Sequence, residues 1–372
     1  MWLVWKFRDP YAEVTTDERE EPNESVVIAR LVSKAKASVA DHARPDGLYK
    51  RDAHPFAHGC ARARLIVDDG PDERLRAGVF AKPQASYGAW VRFSNGLEDD
   101  DTKPDARGMA IKVLGVPGPR LLAADIEPAQ ETKAQTQDFV MIGYPAFFTR
   151  TLADYERFFE IQSVNPQPWA FFFPSFKPWT WKLHEVYHAA HVIGMVGPRV
   201  VNPLEAQYHS MAAFRLGPRN NVKFSLRPCA AGAGSPVDAT GPHRLRAALS
   251  NSLSHAPACF AFLIQLQDPA KNMPIEDTTI EWRESASPFL HVATLIIPRQ
   301  EIDTEERNRL CENLSFDPWH GVEDHYPVGA MNRARRAVYT AVAKFRHSRN
   351  CVPFPELAGA TDPAPTNPCK LE

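Results

Sequence analysis

Between about residue 60 and residue 300 the apolar positions recur mostly in twos. Val222, Phe224 and Leu226 alternate with polar neighbours, and Phe260, Phe262, Ile264 and Leu266 do the same. That is the period of a strand with one buried face. Segments of this kind run Cys60–Val67, Gly88–Ser94, Gly108–Val116, Gln135–Ile142, Gln207–Leu216, Val222–Pro228, Cys259–Gln267, Thr278–Glu284 and Phe289–Ile297. Turn signals separate them, and no crossover helices are interleaved, which predicts a closed antiparallel barrel and argues against a parallel α/β sheet. Helical spacing takes over elsewhere. Asn23 is a fitting N-cap for a first helix carrying Val26 to Val39, and Thr304 to Cys311 reads as a short charged helix. An interlude at roughly 149–200 holds two helical patterns around an aromatic, Pro-rich stretch, Pro166–Pro174. Asn332 to His347 is Ala-rich, lacks Gly and Pro, and reads as a helix of about four turns. The expected class is α+β: a closed antiparallel barrel of about eight strands with flanking helices.

Composition narrows this little. The 372 residues could hold one large domain or two, but no repeat and no linker divides them. The expected organisation is an N-terminal arm at 1–22, one domain at 23–350 and a Pro-rich tail at 351–372. A formal net charge of −2 gives no electrostatic footprint for nucleic acid. Cys60, Cys229, Cys259, Cys311, Cys351 and Cys369 are scattered without a C-x-x-C pair, so a reducing compartment and a cytoplasmic location are expected. The apolar start, Met1 to Phe7, is too short for a signal-peptide core or a transmembrane segment. It reads as a hydrophobic hook for a partner subunit or a membrane surface.

Several stretches carry candidate chemistry. His184-Glu185-Val186-Tyr187-His188 matches H-E-x-x-H, which on a helix presents two imidazoles to zinc with the Glu as base. The Gly and third His of the metzincin continuation are missing, and Glu205 is the conceivable third ligand. An amphipathic helix with a polar face is the simpler reading. His54 stands three residues after Arg51 and five before Gly59. Val91-Arg92-Phe93-Ser94 ends one strand, and Asp105-Ala106-Arg107-Gly108 through Lys112 opens the next. Gln137-Asp138-Phe139 runs on to Pro145-Ala146-Phe147-Phe148. On the last helix Arg335 lies one turn before Tyr339 and Arg346 two turns after it, all on one face. Such a face suits a partner that carries carboxylates and can bond a phenolate; the plainer alternative is a cationic surface helix.

In this order the stretches resemble the haem catalase superfamily, through H-x-x-x-x-G, V-R-F-S, D-x-R-G-x-A-x-K, Q-D-F…P-x-F-F and R-x-x-x-Y. The phrasing is similar to the short bacterial catalase-related peroxidases and also to the catalase-like domain of coral allene oxide synthase. The resemblance covers about residues 45–350. It implies haem b, with Tyr339 as the iron ligand and Arg335 bonded to its oxygen. Arg51, Arg92 and Arg346 match the clamps on the haem propionates, and Tyr155 matches the aromatic ring over the distal face. His54 matches the distal acid–base catalyst and Ser94 the group that orients its ring. The implied activity is reduction of hydrogen peroxide or organic hydroperoxides through a ferryl intermediate, with a reducing co-substrate. Where the large enzymes carry a distal asparagine this chain has Ile142, and where the short relatives often carry one it has Gly143. That loss argues against rapid dismutation of hydrogen peroxide. A weak catalase and a fatty-acid hydroperoxide isomerase or lyase stay open within the class. Outside it stand a non-catalytic haem-binding protein and a zinc hydrolase at His184 and His188. The aromatic 166–174 stretch fits a lipid entrance, core or a subunit contact, and a homo-oligomer is left open.

Overall fold

The structure is a computed structural model that describes residues 17–41, 48–121, 135–164, 171, 193–196, 200–229 and 240–352. The apolar start, the His184–His188 motif, most of the 166–174 stretch and the tail beyond 352 lie outside the described residues.

Nine strands form one antiparallel sheet: β1 Ala57–Val67, β2 Ser86–Asn95, β3 Arg107–Val113, β4 Gln137–Ile142, β5 Tyr208–His209, β6 Phe214–Leu216, β7 Asn220–Pro228, β8 Ala258–Leu266 and β9 Phe289–Ile297. Their order is β5-β4-β3-β2-β1-β9-β8-β7-β6, and β5 pairs β7 as well as β4. The closing contacts are Ile142 opposite His209 on one side, and Tyr208 opposite Leu226 with His209 opposite Ser225 on the other. Eight strands therefore close into a barrel, and β6 extends from β7 as a hairpin arm. Closure leaves the ring without unpaired edges, which suits strands as short as β5.

The period-two pattern decides which side chains fill it. Val91 and Phe93, Met109 and Ile111, Phe139 and Met141, Phe224 and Leu226, and Phe260, Phe262 and Ile264 all point into one core. Phe139 alone packs against Phe80, Phe224, Phe262 and His325 with ring centroids 4.9 to 6.4 Å apart. The opposite parity faces out, and on β2 to β4 it presents Arg92, Ser94, Gly108, Val140 and Ile142.

Five helices complete the described structure: α1 Glu24–Asp41, α2 Leu152–Val164, α3 Arg244–His255, α4 Glu305–Asn313 and α5 Ala330–Arg349. Thr304 caps α4, its hydroxyl accepting from the Arg307 N–H at 3.2 Å. The apolar stripes of α1, α2 and α5 bury one another through Leu31, Ala35 and Val39, Leu152 and Phe159, and Ala334, Val338 and Val342. Arg333 ties the starts of α5 and α1 together, meeting Glu24 at 2.6 Å and Glu18 at 2.6 Å.

Four expectations need correction. Thr278–Glu284 is not a strand: Asp277 captures Thr279 locally, and Gln265 on β8 donates to the Trp282 carbonyl at 2.8 Å, so the segment lies over the barrel as a loop. Gln207–Leu216 is two short strands separated where Met211 takes a left-handed φ of +60°. Arg244–His255, inside the strand-rich span, is a helix whose Leu245, Ala248, Leu249 and Leu253 are buried at helical spacing. Finally, Cys60 pairs with Cys311 (S–S 2.05 Å) and Cys229 with Cys259 (2.03 Å), so the scattered cysteines are partners across the fold. Among the described residues no helix is long and apolar enough to cross a membrane.

Candidate active site

The loop before β1, the β2–β3 loop, the outward side chains Val140 and Ile142 of β4 and the facing sides of α1, α2 and α5 enclose a largely apolar cavity of about 780 Å³. His54, Arg51, Tyr155, Arg335 and Tyr339 line it, together with Val140, Ile142, Phe147 and Phe158. Leu97 and Ile193, both exposed, also belong to its wall.

His54 sits in the loop ahead of β1 with φ +55°, a conformation that a bulky side chain rarely adopts. Tertiary bonds impose it. The His54 N–H donates to the Gly96 carbonyl at 3.0 Å, and its own carbonyl accepts from Arg92 Nη2 at 2.8 Å. The ring then lies with Nδ1 3.2 Å from Ser94 Oγ. Gly108, opposite Ser94 in the β2–β3 ladder, makes this placement feasible: a Cβ there would stand 2.5 Å from His54 Nδ1 and 2.9 Å from Ser94 Oγ. Burial lowers the His54 pKa to about 4, and Arg92 adds to the effect. At neutral pH the ring is therefore an uncharged base in the lining of the cavity.

Arg335 and Tyr339 stand one turn apart on α5. Burial raises the Tyr339 phenol above its usual range, Arg335 opposes that, and Asp317 and Asp52 reinforce it. The phenol is thus neutral unless a cation meets its oxygen. Arg335 Nη1 donates to Asn332 Oδ1 at 3.3 Å, and its guanidinium lies 5.7 Å from the Phe147 ring centroid. Tyr155 packs against Phe147 and Phe159 at 5.8 and 5.2 Å, and burial pushes its phenol up.

The other three arginines converge on α4. Arg51 meets the Glu312 carboxylate at 3.2 Å and donates to the Cys311, Glu312 and Leu314 carbonyls. Arg346 meets the same carboxylate at 3.6 Å, and Arg92 lies within its electrostatic reach. Burial would raise the Glu312 pKa, but Arg51, Arg346 and Arg92 together lower it. One carboxylate does not balance three guanidinium groups. Burial and the neighbouring Arg51 push Arg346 down to about 9, and burial with Arg51 pushes Arg92 well down. The Nε atoms of Arg92 and Arg346 are buried without a hydrogen-bond partner.

The structure thus brings Arg51, His54, Tyr155, Arg335 and Tyr339 to the lining of one cavity, with Ser94 and Arg92 directly behind His54. Arg346 stands behind the wall too, at Glu312. Glu205, itself exposed, ends a 3-10 turn whose Pro203 and Leu204 are buried, and it does not line the cavity. Sequence reading missed Glu312, whose charged helix looks solvated, and Asn332, which looks like an ordinary helix residue. It also left Gly108 without a reason. Of the two positions considered for the missing amide, Ile142 lines the cavity; Gly143 does not.

No family model matches the chain, and no curated protein matches its sequence. Solved structures do match. A fungal catalase solved at 1.9 Å superposes with a TM-score of 0.62 at 15% identity, over 93% of this chain and 68% of the other. Catalase A from Saccharomyces cerevisiae gives 0.63 at 15% identity, over 93% and 70%. The fold is catalase-like. The barrel, the flanking helices and their order are those of that architecture.

Proposed function

We propose that the chain binds haem b in this cavity and reduces hydroperoxides, with Tyr339 as the iron ligand and His54 as the acid–base group. The observation that carries this reading is the placement of a neutral His54, held by Ser94, and the Tyr339–Arg335 pair on the wall of one mostly apolar cavity. The donor set fits a flat ring bearing carboxylates. The buried guanidinium groups of Arg92 and Arg346 and the partly buried one of Arg51 surround a single carboxylate, Glu312, and two Nε donors have no partner, so an added anion would relieve an uncompensated positive charge. Tyr339 offers a phenol oxygen that an Fe(III) ion would keep ionised despite burial. Bound haem would supply the two electrons that split an O–O bond, and a reducing co-substrate would return them to complete the turnover.

The protein's own part is proton movement and orientation. His54, uncharged above about pH 4, takes the hydroperoxide proton and returns it to the departing oxygen. Ser94 and the Gly108 gap hold its ring in place. Arg335 favours the ionised form of Tyr339. Val140 and Ile142 line the cavity with hydrocarbon, which favours the alkyl group of an organic hydroperoxide over the second hydroxyl of hydrogen peroxide. The test is to load the protein with haem b, record its absorption, and compare turnover of cumene hydroperoxide with oxygen release from hydrogen peroxide. Faster turnover of the organic substrate, abolished in His54→Ala, is expected. Failure to bind haem, or undiminished turnover in His54→Ala, would overturn the reading.

A further inference from the structure

The alternation that points Val222, Phe224 and Leu226 of β7 into the core turns Lys223 outward, where a strand lysine is ordinarily solvated. Lys223 is instead only 5% exposed. Gln265, opposite it in the β7–β8 ladder, donates to the Trp282 carbonyl at 2.8 Å and to the Ser287 carbonyl at 2.8 Å. Those bonds fasten the 277–288 loop across the strands. Between loop and sheet lies a second cavity, of about 220 Å³, whose wall includes Lys223, His209, Glu281, Trp282, Glu284 and Phe289.

A lysine buried only to hold a loop would be expected in an ion pair. Among the described residues Lys223 has none. Its Nζ donates to the Ile280 carbonyl at 3.3 Å and lies 5.1 Å from the Trp282 ring centroid. The carboxylates around it are engaged elsewhere, Asp277 with Arg150 at 3.3 Å and Glu284 with Arg227 at 2.8 Å. Burial lowers the Lys223 ammonium to about 7, although Asp277 and Glu281 favour the charged form. Burial, then Lys223 and Arg227, lower His209 to about 4, so the imidazole beside it is neutral too. A sizeable share of Lys223 is therefore free amine at neutral pH, inside a cavity sized for a small ligand.

We propose that this cavity is a covalent site for small neutral aldehydes and ketones, with the Lys223 amine as the nucleophile. The Nζ lone pair attacks the carbonyl carbon, the C=O π pair moves to oxygen, and a proton passes from nitrogen to that oxygen. The resulting hydroxyl takes up a second proton and departs as water while the nitrogen lone pair forms the C=N bond. Nitrogen then releases its remaining proton, so amine and carbonyl become imine and water with no oxidation or reduction. The Trp282 and Phe289 rings suit the alkyl part, and Glu281 and Glu284 in the same wall disfavour a ligand that carries its own carboxylate. Nothing in this chemistry requires haem.

The experiment treats the full chain at pH 7 with butanal and sodium cyanoborohydride, which reduces an imine where it forms, and follows each lysine by peptide mass mapping. Lys223 should acquire a butyl group about tenfold or more faster than the exposed Lys82 and Lys271. In Lys223→Arg, which keeps a donor for the Ile280 carbonyl, that fast phase should vanish while circular dichroism stays native. If the variant does not fold, the wild-type map decides alone. Succinic semialdehyde, which bears a carboxylate, should label Lys223 about tenfold more slowly than butanal, each rate taken relative to Lys82. Labelling of Lys223 no faster than that of Lys82 and Lys271, or a fast phase that survives in Lys223→Arg, would overturn the proposal. Equal labelling by the two aldehydes would overturn the preference for neutral carbonyls.

Discussion

At the scale of single residues, the site depends on small exclusions as much as on reactive groups. His54 occupies space that exists because Gly108 has no side chain. Gly108→Ala should push the imidazole off Ser94 and lower hydroperoxide turnover by about 10²-fold, the range expected for a displaced acid–base group, while haem loading persists. Steady-state rates beside a haem absorption titration would check it, and unchanged turnover would remove the steric account. On the proposed reading, Ile142 is the position at which an amide would face a bound ligand, because it lines the cavity and Gly143 does not. Ile142→Asn should therefore raise oxygen release from hydrogen peroxide several-fold relative to cumene hydroperoxide turnover; Gly143→Asn, off the cavity wall, should do less. The two ratios, measured side by side, decide between the positions. Arg335, Tyr339 and Arg346 were legible as one face of a helix from their spacing. Glu312 and Asn332 were not, since each acquires its meaning from a partner on another element or turn.

At the scale of elements, α5 is positioned by what it packs against. Its Ala334, Val338 and Val342 meet Leu31, Ala35 and Val39 of α1, and Arg333 reaches Glu24 at the start of that helix. Removing one side chain from this contact tests how far the pocket depends on it. Leu31→Ala should cost about 2–5 kcal/mol of stability, the usual range for a fully buried leucine, because it opens a void between the two helices. Urea unfolding of the haem-free proteins measures it, and a cost within ~0.5 kcal/mol would mean α1 contributes little. Helix positions read well where the period was clear, as at Val26 to Val39 and Thr304 to Cys311. The helix Arg244–His255 escaped notice because its four buried apolar positions are interspersed with Arg, Asn and Ser and it lies amid strands. Thr278–Glu284 failed the other way: β-branched residues signal a strand, yet local side-chain bonds to Asp277 satisfied the backbone first.

For the whole molecule, burial of neutral imidazoles sets a common pH response. Burial lowers His54 and His209 to about 4, and His58 and His325 to about 3, from an ordinary value near 6.5. Between pH 6.5 and about 4 the unfolded chain binds protons at these positions and the folded chain does not. Stability should therefore be full above pH 6.5 and fall on acidification, by about 1.4 kcal/mol per pH unit for each such group. Urea midpoints of the haem-free protein across that window, with His325→Asn as a variant lacking one group, would measure it; stability that stays flat down to pH 4 would contradict the burial of these rings. The sequence by itself determined that strands alternate, that they are antiparallel and closed, and that helices flank them, because period and turn chemistry are local properties of the chain. It also placed Arg51, His54, Arg92, Ser94, Arg335 and Tyr339 in ordered motifs. Only the tertiary structure decided that β5 closes the ring between β4 and β7, and that Cys60 finds Cys311 across 251 residues. It alone brought Val140 and Ile142 of β4 into one cavity with α5 and set three arginines around Glu312. Those outcomes depend on contacts between distant segments, where the cost of ordering the chain is repaid by burial and charge that no local window contains.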